Sequence, residues 1–199
     1  MTGTPGRPVI RQQADHSRSA EGPVGENGGV SERAAGSSET VDPQDLAALE
    51  EQLGRVPRGV VGIAARCVCG RPLVARTAPR LPDGSPFPTT FYLSHPGAVA
   101  AASRLEANGV MKEMNARLGE DEELAAAYRA AHDHYVAQRE ALGHVEEIDG
   151  ISAGGMPTRV KCLHALMAHA LAAGPGVNPI GDEALSLARD DWRPDRCTC

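Results

Sequence analysis

The sequence predicts an α+β fold: a short antiparallel β-hairpin sheet packed on a helical bundle, behind a disordered N-terminal tail. Three observations carry this. Two short apolar runs flank a Gly-containing turn at residues 60–77. Downstream of residue 94 the apolar residues recur at helical spacing, with no repeated β-α-β unit. Residues 1–42 hold seven Gly, three Pro and five Ser, no Leu and no aromatic residue, so they bury too little apolar surface to offset the entropy of ordering. The expected organisation is a tail at 1–42 and one α+β domain at 43–199. Those 157 residues suffice for a sizeable core.

The elements follow in order. Asp42-Pro43-Gln44-Asp45 reads as a helix start, with Asp42 as cap, Pro43 at the first position and Asp45 at the positive end. Leu46, Leu49 and Leu53 share a face, and Gly54 ends the run. Val60–Arg66 and Pro72–Thr77 are the hairpin strands, joined through Cys67-Val68-Cys69-Gly70. Prolines at 79, 82, 86 and 88 make residues 79–88 an extended loop, and Thr89–Leu93 is a third strand. A small-residue helix face (Ala98, Ala101, Ala102, Leu105) stops at Asn108-Gly109, and Met111, Met114 and Leu118 continue at helical spacing. Glu120 to Glu123 open the next helix, striped by Leu124, Tyr128, Ala131, Tyr135 and Leu142. His132 and His134 on this acidic helix are expected to be solvated. After a glycine loop, Pro157 is expected to start a helix that packs through Val160, Leu163, Met167 and Leu171 and ends at Gly174-Pro175-Gly176. A last short helix spans Asp182–Ala188, and Trp192 packs the final segment on the core.

The net charge of −6 is unevenly spread: residues 55–82 carry six Arg and no acid, and their flanks are acidic. An acidic chain argues against general nucleic-acid binding. The Arg segment is expected to lie on the solvent face of the strands or to pair with acidic helices downstream, with an anion patch as the functional alternative. No run reaches the roughly 18–20 apolar residues of a membrane span, and the N-terminus lacks the apolar stretch of a secretory signal. Five cysteines, sparse and odd in number, do not make a disulfide scaffold. A cytoplasmic protein is expected.

The cysteines are the main chemical clue. They form two C-x-C pairs, Cys67/Cys69 and Cys197/Cys199, with Cys162 alone. Thiolates suit zinc or an iron–sulfur cluster, and a hairpin turn can aim two at one ion. His95 lies just after the third strand. Cys67, Cys69, His95 and Cys162 are therefore the expected ligands, while Cys197 and Cys199 join only if their segment folds back. Cys162 and His164 point about 200° apart on a regular helix, which counts against a shared ion and against a nucleophile–base pair. A second candidate is the loop Gly154-Gly155 running to Arg159 and Lys161, where free N–H groups at a helix start would suit a phosphate.

Arg55-Val56-Pro57-Arg58-Gly59, Arg66-Cys67 with Gly70 and Pro72, Phe87-Pro88-Thr89 through Leu93, Met156-Pro157 with Arg159 to Ala165, and Asn178-Pro179 with Gly181-Asp182 together resemble the bacterial domain-of-unknown-function 501 family, in an actinobacterial form. The resemblance covers nearly all of residues 50–192. It implies no activity. It implies a setting, division or envelope processes, and a Cys in many members where this chain has His95, an exchange that suits a metal ligand. Cys69 departs from the commoner pattern, which makes His164 its rival. The expected function is a metal-stabilised regulatory or adaptor protein with a partner in the division or envelope machinery. The alternative is an enzyme acting on a phosphorylated or anionic small molecule through the Arg-rich hairpin and the 154–161 loop.

Overall fold

A computed structural model describes residues 41–199. The tail expected at 1–42 lies, apart from Val41 and Asp42, outside the described residues. The fold is α+β: among the described residues there are six α-helices, a short 3-10 helix at Glu146–Ile148 and one three-stranded antiparallel sheet. None of these helices is long and apolar enough to cross a membrane.

Helix α1 (Pro43–Leu53) begins as its sequence dictates, with the Asp42 carboxylate accepting the Gln44 N–H at 2.8 Å and Gly54 closing it at φ 66°. Strands β1 (Val60–Arg66) and β2 (Pro72–Thr77) have the expected bounds and pair antiparallel from Val60↔Thr77 to Arg66↔Pro72. Strand β3 (Phe91–Leu93) is two residues shorter than expected and pairs with β2 from Arg76↔Phe91 to Val74↔Leu93. The order β1-β2-β3 leaves β2 central, and it is accordingly the strand with the most buried residues.

Helices α2 (Pro96–Ala107), α3 (Val110–Glu120) and α4 (Glu122–Glu140) follow as the spacing predicts. Helix α5 (Leu163–Ala173) packs against all three strands and against α2 and α6 (Pro179–Leu187). It is buried nearly all round, through Leu163, Leu166, Met167, Ala168, His169 and Ala170. Leu73, Val74, Phe91 and Leu93 of the sheet meet it on one side, Ile180 and Ala184 of α6 on another. At Gly181 a β-carbon would lie 2.3 Å from the Leu166 carbonyl oxygen, so glycine is what lets α6 approach α5 this closely.

Two helix starts differ from expectation. Helix α6 begins at Pro179, because Asn178 caps it by accepting the Gly181 N–H at 2.9 Å. Helix α5 begins at Leu163, not Pro157, because residues 157–158 belong to a turn and residues 159–162 are held out of helix by partners from elsewhere. Asn115 of α3 accepts the Val160 N–H (2.8 Å) and donates to the Val160 carbonyl (2.9 Å). The Lys161 and Cys162 N–H groups turn back onto the Gly154 carbonyl.

Candidate metal centre

The β1–β2 turn places the first two thiols. The Cys67 N–H donates to the Arg71 carbonyl (2.9 Å) and the Gly70 N–H to the Cys67 carbonyl (2.8 Å). This tight loop presents Cys67 on its buried side and Cys69 on its exposed side.

The second pair arrives on a strap. After α6 the Trp192 ring is buried, 5.6 Å from the His95 ring centroid to centroid. Gly97, in the first turn of α2, makes room for it. A β-carbon there would lie 2.8 Å from Trp192 Cδ1 and 3.2 Å from Thr198 Oγ1. The strap thus folds back, and the Sγ atoms of Cys67, Cys69, Cys197 and Cys199 all lie within 4.8 Å of one another. Cys69 Sγ is 3.4 Å from Cys199 Sγ.

His95 joins this cluster from outside it. Its Nδ1 accepts the Ala98 N–H (3.4 Å), capping α2, and its Nε2 faces Cys199 Sγ at 3.2 Å. An accepting Nδ1 leaves the proton on Nε2, so the imidazole donates to the Cys199 sulfur. Burial, helped by the Arg71 cation, pushes the His95 pKa down, which keeps the ring neutral. The thiols themselves are unequal. The Arg71 backbone N–H, aided by Cys199, pulls Cys69 down to about 7, whereas burial beside the other sulfurs pushes Cys199 up to about 12 and raises Cys67. Four sulfurs this close cannot all carry charge unless a cation sits among them.

Cys67 and Cys69 are thus brought together. His95 contacts one of their neighbours. Cys162 falls in a separate group with Glu106 and His164. Of the expected set Cys67, Cys69, His95 and Cys162, only the first two belong to the group of four close sulfurs, whose other members are Cys197 and Cys199. The repeated C-x-C spacing with an apolar Trp192 ahead of it was the available signal. Cys162 and His164 are nevertheless adjacent, because Cys162 is the extended residue before α5 (φ −152°) and the helical angle between them does not apply. His164 Nδ1 lies 3.9 Å from Cys162 Sγ and 3.1 Å from Glu106 Oε1. This pairing lowers the Cys162 pKa and raises that of His164 to about 9.

At the 154–161 loop, the Arg159 N–H donates to Gly155 and the Lys161 N–H to Gly154, and the first α5 N–H, that of Leu163, donates to Glu106 at 2.6 Å. The backbone N–H groups of Arg159, Lys161 and Leu163 are thus engaged within the protein, while the Arg159 and Lys161 side chains are exposed. Four of the six Arg of residues 55–82 pair with acids, two of them upstream on α1. Arg66 makes two 2.7 Å bonds to Asp45, while Arg58, Arg71 and Arg80 pair with Asp83, Glu51 and Glu147. His134, expected in solvent, is instead half-buried, with Nδ1 2.9 Å from Nε2 of the buried His169. Sequence reasoning missed that pair and Glu106, since no local pattern marks contacts between distant helices.

The fold and site define a small α+β protein in which a hairpin and a strap meet at a cluster of thiols able to hold a metal ion. Its family follows from the comparison: the model described as "Protein of unknown function (DUF501)" matches residues 63–186, and the chain belongs to that family. The matched span takes in Cys67, Cys69, His95, Cys162 and His164, while Cys197 and Cys199 lie beyond it. No curated protein and no solved structure matches the chain.

Proposed function

We propose that the four thiols bind one zinc ion and that the protein is a metal-stabilised adaptor or regulator. The observation that carries this is the convergence of Cys67, Cys69, Cys197 and Cys199 within 4.8 Å. Zinc–sulfur bonds of about 2.3 Å place tetrahedral sulfurs about 3.8 Å apart, compatible with four sulfurs that lie within 4.8 Å of one another. An iron–sulfur cluster would have to insert several iron and sulfide atoms between the cysteines, and the spacing favours a single ion. The His95 N–H directed at Cys199 is the kind of outer contact that steadies a thiolate ligand.

Four sulfur ligands leave no coordination position for a substrate, which supports a structural ion over a catalytic one. A binding role is supported by the groove of about 900 Å³ along β1, bordered by Val61, Ile63, Arg66, Arg76, Phe91 and Gln138. The setting, division or envelope processes, is supported by the family resemblance alone. Elemental analysis of natively purified full-length protein tests the core of the proposal. Wild type is expected to carry one zinc in the thiol cluster, lost in C69S and C199S. Natively purified protein that carries no metal and whose stability chelation leaves unchanged would overturn it, as would iron with stoichiometric sulfide.

A further inference from the structure

We propose that Glu106, Cys162 and His164 form a second metal site, of three protein ligands and one open position, at the rim of a groove beneath β3 and α2. This inference goes beyond the thiol centre and stands independently of it.

The geometry of His164 is the starting point. One ring nitrogen, Nδ1, faces both Glu106 Oε1 (3.1 Å) and Cys162 Sγ (3.9 Å), and all three ligand atoms lie within 4.8 Å of one another. A nucleophile–base–carboxylate relay would use opposite ring nitrogens for the thiol and the acid. Here a single nitrogen, a sulfur and a carboxylate oxygen converge on one point. Zinc bonds of about 2.0–2.3 Å to N, O and S put tetrahedral neighbours about 3.2–3.8 Å apart, close to the observed separations.

The surroundings are those of a supported ligand set. The other ring nitrogen, Nε2, lies 3.1 Å from Ser103 Oγ, the outer contact that fixes a ligating imidazole. The Leu163 N–H holds the Glu106 carboxylate at 2.6 Å. Asn115 and Gly154 pin the extended stretch that aims Cys162. Cys162 and His164 line a groove of about 690 Å³ whose other walls include Gln52, Tyr92, Leu93 and Val99. A fourth coordination position therefore faces a largely apolar groove. Water, or the oxygen of a small molecule with an apolar body, would occupy it, as at the three-ligand zinc sites that activate water.

The test uses full-length protein, stripped of metal under reducing conditions and dialysed to equilibrium against zinc. Wild type is expected to take up two equivalents, and H164A and C162S one each. E106Q, which retains an oxygen acceptor for the Leu163 N–H, is expected to bind the second zinc at least tenfold more weakly, so the result does not depend on a variant that misfolds. C199S is expected to keep this second ion while losing that of the thiol centre. With cobalt(II) in place of zinc, added azide should shift the visible spectrum in wild type and C199S but leave H164A unchanged. Wild type that binds one equivalent, unchanged in H164A and C162S, overturns the proposal and leaves the thiol centre standing. One equivalent lost in H164A and kept in C199S does the reverse. No uptake at all overturns both.

Discussion

His169 sits fully buried between Phe91, stacked on it at 5.6 Å, and Tyr135, edge-on at 5.1 Å. Its two nitrogens are committed. Nδ1 takes the Asn178 amide N–H at 3.1 Å, and Nε2, which then carries the proton, donates to His134 Nδ1 at 2.9 Å. A second proton would break the Asn178 contact in a site where burial, with a smaller contribution from His134, holds the His169 pKa at about 4. Above pH 6.5 the ring is neutral both folded and unfolded, and it contributes no pH dependence. As pH falls below 6.5, the unfolded chain binds a proton that the folded protein refuses, so stability drops until the folded form also protonates near pH 4. The interval corresponds to about 3 kcal/mol. Urea denaturation at pH 7 and at pH 4 should show wild type losing about that much more stability than His169→Phe, whose ring cannot titrate. An equal loss in both would show that His169 is not the acid-labile group. Local pattern conveys little of this: His169 reads as one more polar residue on an apolar helix, and its partners stand 35 and nine residues away in sequence.

At the scale of elements, local signals and distant partners divide the outcome. Asp42-Pro43 with Gly54, the apolar hairpin runs, and Asn108-Gly109 lie within a few residues of what they control, and α1, β1, β2 and the end of α2 were legible to within a residue or two. The start of α5 was not. Pro157 is a sound helix opener, but the stretch after it is captured by Asn115, 45 residues upstream, whose side chain pairs with both backbone groups of Val160. The same limit explains the site. The hairpin thiols were visible from one turn, whereas the place of Cys197 and Cys199 depends on the small Gly97 seat beneath Trp192 and Thr198. Asn115→Ala tests the capture. It leaves the N–H and carbonyl of buried Val160 without partners, which should cost about 1–3 kcal/mol in urea denaturation. Amide exchange should quicken across residues 157–162 while α1 and the hairpin keep their protection. Unchanged exchange there would mean that the Gly154 carbonyl alone holds the stretch.

For the whole molecule, the thiol cluster closes a long loop, since Cys69 and Cys199 are 130 residues apart in sequence yet 3.4 Å apart in space. Almost every element of the fold lies between them. A metal clip across such a span restricts the unfolded chain far more than it restricts the native one, and the folded protein gathers ligands that the unfolded chain scatters. Binding to the native state alone stabilises by about 4 kcal/mol at free zinc a thousandfold above the dissociation constant. For a chain of this size that is about 10 °C in Tm. Metal-free wild-type protein titrated with zinc under reducing conditions should therefore show Tm rising by about 10 °C and then continuing upward with the logarithm of free zinc. C199S should lose the part of this rise that the thiol centre supplies and keep only the part due to an ion at His164, even though its metal-free form unfolds close to metal-free wild type. A Tm indifferent to zinc would mean that the strap is held by Trp192 and His95 packing alone. A rise undiminished in C199S would locate the stabilising ion away from the hairpin, at the three ligands around His164.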